Sequence, residues 1–301
     1  MAALNLTVDL ADLTEWVGDA PPSARVTVLD ETGGGRRCHK QRAADAVVLT
    51  AAAAGHAQVT AGSCGNYGVA LAVAATRLDL AAIIVVPTSY GQADTRRMRD
   101  LGAQVIPSGD TYEDAVAASR RLAEGGGVAD ANIDGPFGAV AAAALGEIVT
   151  GLDAIAGGPP VGLWVPMGNG TTVTAVAEAI RRRGWATRVF GASSSGNNSV
   201  LDSWPSRQHR PISPSILTPT ATNEPLVNWD ALHGQQALDL LHATAGRAVA
   251  VTDTQLESAR RTLRRAGFTT SPAGAAGLAA LLLASAGTGL TGGSHVAVLT
   301  G

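Results

Sequence analysis

The stretch Gly162-Leu163-Trp164-Val165-Pro166-Met167-Gly168-Asn169-Gly170-Thr171-Thr172-Val173 decides how the chain is read. It begins as an apolar run, breaks at Gly168 and Gly170, and continues into an Ala-rich helical pattern over Val173–Arg183. A short apolar run bounded by turn residues suits a strand buried on both faces, as in a parallel sheet. The unit is therefore strand, tight turn, helix. The same alternation extends in both directions. Upstream, strands over Val26–Leu29, Ala57–Thr60, Ala81–Val86 and Gln104–Ile106 alternate with helices over Arg42–Ala54, Tyr67–Leu78, Asp94–Leu101 and Thr111–Ala123. Thr111 is placed to cap the last of these. A further helix is predicted over Ala139–Ile155. Downstream, strands over Val189–Ala192, Ala248–Val251 and His295–Leu299 alternate with helices over Asp253–Ala266 and Ala273–Ala284. Ser193–Pro219, rich in serine and proline, reads as a long loop or lid. The pattern predicts an α/β fold with mostly parallel sheets and helices on both faces. Ligands in such sheets bind beyond the carboxyl ends of the strands, where the glycine-rich breaks fall.

The chain has 301 residues, enough for one large domain or two of ordinary size at roughly 150 residues each. It is 46% hydrophobic and 16% charged, with a net charge of -3. Those values exclude a disordered chain, a fibrous repeat and a basic nucleic-acid binder. Cys38 and Cys64 are too few for a disulfide scaffold. The opening residues show no basic segment ahead of an apolar run, and no apolar stretch reaches the ~18 residues of a membrane span. A cytoplasmic protein with no membrane partner is expected.

Of the 22 Lys and Arg residues, Lys40 is the single lysine. Arg replaces Lys on most surfaces at little cost, but not where a deprotonated amine is needed, because guanidinium stays protonated. Lys40 is either an accidental survivor or a required amine, able in a buried setting to form a Schiff base. Gly168-Asn169-Gly170-Thr171-Thr172 is either a ligand-free turn or an anion site, in which glycines admit the ligand and helix N–H groups face it. It is neither a Walker loop nor Gly-x-Gly-x-x-Gly. Ser63-Cys64-Gly65-Asn66 is a small-residue turn at a helix start. There Ser63 or Asn66 serves as a cap, or Asn66 presents an amide donor to a cleft.

Further matching segments follow in chain order. Asp30-Glu31 precedes Lys40-Gln41-Arg42, then Ser63-Cys64-Gly65-Asn66, Pro166-Met167-Gly168-Asn169-Gly170, Asn223–Trp229, Ser271-Pro272-Ala273-Gly274-Ala275-Ala276 and Val298-Leu299-Thr300-Gly301. This ordered set resembles the threonine-synthase-like enzymes of the pyridoxal-phosphate-dependent tryptophan-synthase-β superfamily, fold type II. In that family the segments read D-E-x-x-N-P-T-G-S-F-K-D-R, S-T-G-N, P-x-G-N-x-G, I-G-N-P-x-x-W, E-P-A-G-A-A and V-L-T-G.

The resemblance implies two α/β lobes with pyridoxal 5'-phosphate between them: a smaller lobe of about residues 45–150, and a larger one of 1–44 plus 151–301. Lys40 would form the internal aldimine and then act as general base and acid. Asn66 would hydrogen-bond the ring hydroxyl oxygen. Gly168, Asn169, Gly170, Thr171 and Thr172 would cradle the phosphate, and Thr300 would face the pyridine nitrogen. Ser63, Cys64 and Gly65, with Cys38 and His39, would line the substrate side. No metal is implied, and a homodimer is the family's usual state.

Departures from the family bear on the substrate, an amino acid. Gly34–His39 replaces N-P-T-G-S-F, so Arg36 and Arg37 either bind an anionic group or stand on the surface. Cys38 and Cys64 replace small hydroxyl residues, and His39 takes an aromatic position. The lysine and threonine of a G-x-K-T segment, which serve a phosphorylated substrate, are lost in the Ala-rich run Ala139–Leu145, although Glu147-Ile148 remains. Ser271 replaces a glutamate. Ala273 carries no polar atom, which leaves Thr300 as the partner of the ring nitrogen. A neutral hydroxyl there keeps the ring largely unprotonated, which in this fold goes with elimination and replacement. The expectation is a lyase or synthase of threonine-synthase type performing β- or γ-elimination or replacement. The alternatives are a β-replacement synthase, a serine/threonine dehydratase of a specialised pathway, and an inactive cofactor-binding partner subunit.

Overall fold

A computed structural model describes residues 7–9, 24–32, 38–63, 65–88, 92–152, 156–287 and 290–301. In chain order the first elements are β1 (Thr7–Asp9), β2 (Ala24–Asp30), α1 (Gln41–Ala53), β3 (Gln58–Gly62), α2 (Asn66–Arg77), β4 (Ala81–Val86), α3 (Gln92–Asp100), β5 (Gln104–Pro107), α4 (Tyr112–Glu124), β6 (Val128–Asp130) and α5 (Gly138–Gly146). Then follow β7 (Gly162–Pro166), α6 (Thr171–Arg182), β8 (Arg188–Ser194), α7 (Ser199–Ser203), α8 (Gly234–Ala243), β9 (Arg247–Val251), α9 (Asp253–Arg265), α10 (Ala276–Ala286) and β10 (Gly293–Leu299). The chain forms two compact units. One is Cys38–Leu145; the other comprises the described residues of Met1–Arg37 and Gly146–Gly301.

The larger unit holds a six-stranded sheet in the order β1-β2-β10-β7-β8-β9. β1 pairs antiparallel with β2, and the remaining neighbours pair in parallel. β10 lies between β2 and β7, so the segments after Leu299 and after Pro166 leave the same end of the sheet. Every residue of β7 is buried, as its unbroken apolar sequence requires. Trp164 stacks on Phe190 with ring centroids 3.9 Å apart. Its indole N–H donates to His295 Nδ1 at 3.3 Å. α10 is apolar around most of its circumference and packs on β7, β8 and β10. Close approach needs a glycine: a Cβ at residue 277 would stand 2.5 Å from the Trp164 carbonyl oxygen. Leu278 and Leu281 on this helix are fully buried, each contributing about 1.5–3 kcal/mol.

The smaller unit holds the parallel sheet β5-β4-β3-β6. α4 starts with a reciprocal capping box. Thr111 Oγ1 accepts from Asp114 N, and Asp114 Oδ2 accepts from Thr111 N, both at 3.1 Å. Buried Asn132 braces the end of β3, its carbonyl accepting from Gly62 N at 3.0 Å while its amide donates to Ser119 Oγ at 2.9 Å.

Four elements were not read from the sequence: β1, β6, α7 and α8. The helix predicted over Ala139–Ile155 ends as α5 at Gly146 and tightens into a 3₁₀ turn over Glu147–Val149. The segment read as a lid over Ser193–Pro219 begins inside β8, contains α7, and is anchored. Asn197 Oδ1 accepts from Thr218 N at 2.7 Å, while Asn228 N donates to Asn197 O and Ser199 N to Asn228 O.

Candidate active site

In the smaller unit, Lys40 is the residue immediately before α1, and its carbonyl accepts from Ala44 N at 3.0 Å. The partial positive charge of a helix start disfavours a second positive charge there. α1 is fixed to α2 by Gln41, whose amide donates to Ala70 O at 3.1 Å and Asp45 Oδ1 at 2.8 Å. The Cys38 thiol donates to the carbonyl of Asn66 at 3.8 Å, which ties the strand of chain carrying Lys40 to the turn carrying Asn66. Cys38 is free of disulfide, and burial raises its pKa, with the Lys40 charge opposing that shift. His39 is buried, and burial with the positive charges of Lys40 and Arg42 lowers its pKa to about 3, so the ring is neutral.

Asn66 opens α2 after Gly65, whose φ of 150° lies outside the range side chains favour. Ser63 follows β3, and its hydroxyl accepts from Gly68 N at 2.8 Å, which satisfies one of the unpaired N–H groups of the α2 start. Cys64 and Gly33–Arg37, the last including Arg36, lie outside the described residues.

In the larger unit, the loop after β7 runs through Gly168, Asn169 and Gly170 into Thr171 and Thr172, the first residues of α6. Gly170 adopts a left-handed φ of 87° and caps the helix without a side chain. The unpaired N–H groups of the α6 start therefore point out of the end of the sheet. Gly168 is required by packing: a Cβ there would stand 2.7 Å from Pro225 O. Thr300 follows β10 at the same sheet end and is buried. Its hydroxyl has no hydrogen-bond partner among the described residues. Its backbone is held by Thr270 Oγ1, which donates to Thr300 O at 2.7 Å, and by Gly274 O, which accepts from Thr300 N at 3.3 Å.

Two residues missed by sequence reasoning support this loop. Asn198 donates through its amide to Gly168 O at 2.8 Å and Leu226 O at 3.0 Å, while its carbonyl caps α7. His233 contacts Asn169 and Thr171. Their contacts with this loop carried no local signal, because Gly168, Asn169 and Thr171 lie 30 to 64 residues away in the sequence. A second constellation, Ser199–His209–Asp230, has the residue types of a hydrolytic triad. Ser199 is fully buried, and its oxygen already accepts from Ala231 N at 3.1 Å, so it presents no nucleophile to a substrate. Among the described residues no cluster of His, Cys, Asp and Glu is arranged to hold a metal ion, and no helix is long and apolar enough to cross a membrane.

The fold is shared with solved structures. Threonine deaminase isoform 2 from Solanum lycopersicum superposes with a TM-score of 0.82 at 18% identity, covering 99% of this chain and 83% of that one. Maize serine racemase superposes with a TM-score of 0.79 at 19% identity, covering 99% and 89%. In sequence, the L-threonine ammonia-lyase of Thermotoga maritima is 27% identical over 228 residues, 74% of this chain. The match spans 54% of that relative, about half its length. The architecture of parallel sheets flanked by helices is that of the fold type II enzymes, which depend on pyridoxal phosphate. Residues 23–301 match the pyridoxal-phosphate dependent enzyme family, and the chain belongs to it.

Proposed function

We propose that this protein is a pyridoxal-phosphate-dependent lyase of the serine/threonine dehydratase type, which removes the β-hydroxyl of a small amino acid and releases ammonia and an oxoacid. The observation that carries the reading is Thr300, a neutral hydroxyl without a partner among the described residues at the carboxyl end of β10. Non-polar Ala273 offers no competing group. A hydroxyl against the pyridine nitrogen suits elimination, because it leaves the ring unprotonated. Two further facts support it. The Ala-rich run of α5 lacks the lysine and threonine that serve a phosphorylated substrate, which disfavours threonine synthase proper. The relatives named above include a threonine ammonia-lyase and a threonine deaminase.

Each unit offers donors of the kinds the cofactor needs. When bound, it supplies an aldehyde for exchange with amines and a ring that accepts negative charge from the substrate α-carbon. Lys40 would be the amine for that aldehyde, and its nitrogen would take the α-proton and return protons. The N–H groups of Gly168 through Thr172 and two threonine hydroxyls would hold the phosphate. Asn66 would donate its amide to the ring hydroxyl oxygen. Thr300 would orient the ring nitrogen without protonating it.

The test is spectral and chemical. Purified protein reconstituted with the cofactor should show the absorbance of a lysine-bound aldehyde, and Lys40→Ala should lose it. Serine or threonine should then yield ammonia and an oxoacid. Inorganic phosphate released from O-phosphohomoserine would instead mark threonine synthase. A bound cofactor that no amino acid perturbs would mark an inactive partner subunit, and a colourless protein would overturn the reading.

A further inference from the structure

We infer that His233 is a positioning residue of the phosphate cradle, holding the Thr171 hydroxyl in place without touching the phosphate. The inference rests on the proposed reading of Gly168–Thr172 as that cradle. His233 directly precedes α8, and its backbone already lies on the loop. Its N–H donates to Asn169 O at 2.9 Å, and its carbonyl oxygen would be 3.1 Å from a Cβ at residue 170. The ring adds a directed contact, with Nδ1 3.0 Å from Thr171 Oγ1.

Proton counting fixes the direction of that contact. Thr171 Oγ1 also lies 2.9 Å from Asn169 Oδ1, which accepts from Thr171 N at 3.4 Å. Two donors at one atom identify it as the amide oxygen, which only accepts. Thr171 has one hydroxyl proton and gives it to Asn169. His233 Nδ1 must then carry a proton and donate it to Thr171 Oγ1. The result is a one-way chain from His233 through Thr171 to Asn169. A phosphate arriving at the α6 start can draw the Thr171 proton towards itself while the imidazole keeps the oxygen in position. Without the ring, the threonine side chain regains rotational freedom, and ordering it on binding costs affinity.

The consequence is specific to the phosphate. Equilibrium binding to the apo-protein is measured for pyridoxal phosphate and for pyridoxal, which lacks the phosphate. His233→Ala should weaken pyridoxal phosphate about five- to thirty-fold, the worth of a hydrogen bond to a group serving an anion. Pyridoxal should change less than about two-fold. His233→Asn should restore most of the affinity, because its amide nitrogen reaches the place of Nδ1. In a Thr171→Val background, His233→Ala should cost less than about two-fold, since the group it positions is gone. If the wild type binds the cofactor and His233→Ala binds it equally well, or loses pyridoxal in parallel, or is not rescued by Asn, the positioning role is overturned while the cradle stands. A wild type that binds pyridoxal as tightly as pyridoxal phosphate overturns the cradle reading itself.

Discussion

Gly274 lies so close to Thr300 that a Cβ at residue 274 would run into the Thr300 carbonyl oxygen. Its own carbonyl accepts from Thr300 N, and neighbouring Thr270 donates to the Thr300 carbonyl. The Pro272-Ala273-Gly274 and Leu299-Thr300-Gly301 segments, remote in sequence, are therefore one structural unit that seats Thr300. Gly274→Ala forces backbone against backbone and should destabilise the protein by about 1–3 kcal/mol. The measurement is the urea midpoint of the apo-protein, with cofactor affinity falling alongside it. An unchanged midpoint would show that the contact is relieved without cost.

The Thr300 side chain should behave in the opposite way. Its hydroxyl satisfies no group among the described residues, so Thr300→Val leaves none of them unpaired in the apo-protein and should shift stability by less than about 0.5 kcal/mol. Cofactor affinity and turnover should nonetheless fall, by about three- to ten-fold in affinity for one lost hydrogen bond. Thr300→Ser should keep both. A Thr300→Val protein with full affinity and turnover would remove the ring-nitrogen role.

What the sequence made legible follows from where each signal lies. β4 is a run of apolar residues buried in the middle of a parallel sheet, and β7 the same, so both strands were readable from composition alone. The α4 start was readable because Thr111 and its partner Asp114 are three residues apart. β1 and β6 are three residues each and exist by pairing with β2 and β3, which no local pattern announces. α8 carries buried Ala237, Leu238 and Leu241 at helical spacing, but no side chain caps it, so its start gave no mark. At the site, Lys40 stood out as the only lysine, and the glycine turns stood out by residue type. Asn198 and His233 did not, since an Asn or His that bonds a distant loop looks like any other surface polar residue.

Acid should destabilise the protein through its buried histidines. Burial lowers the pKa of His295, and burial with the charges of Lys40 and Arg42 lowers that of His39 to about 3. The unfolded chain therefore takes up protons first as the pH drops below about 6.5. Each histidine's contribution is complete above that pH and is lost on acidification, for His39 until the folded ring itself protonates near pH 3. The slope approaches about 1.4 kcal/mol per pH unit for each such ring. His39→Phe, which keeps an aromatic ring and removes the titration, should flatten the curve between pH 6.5 and 3. Parallel curves for the two proteins would show that His39 protonates as readily folded as unfolded.

The Ser199–His209 pair should matter to the loop and not to chemistry. Ser199 Oγ accepts from the buried Ala231 N–H and lies 3.0 Å from His209 Nε2. The ring occupies space that a Cβ at residue 234 would fill, so Gly234 is what admits it. Ser199→Ala strands the Ala231 N–H and should cost about 1–3 kcal/mol. His209→Ala should raise protease cleavage within 204–230, because the ring is a side-chain tie from that segment to α7. Asp230 is 4.0 Å from His209 Nδ1 and half exposed, so Asp230→Asn should change neither stability nor cleavage. Ester hydrolysis that depends on Ser199, Asp230 and His209 together would mean that the serine is reachable after all. Loss of stability in the first two variants with none in the third identifies the trio as a fastening for the 204–230 segment.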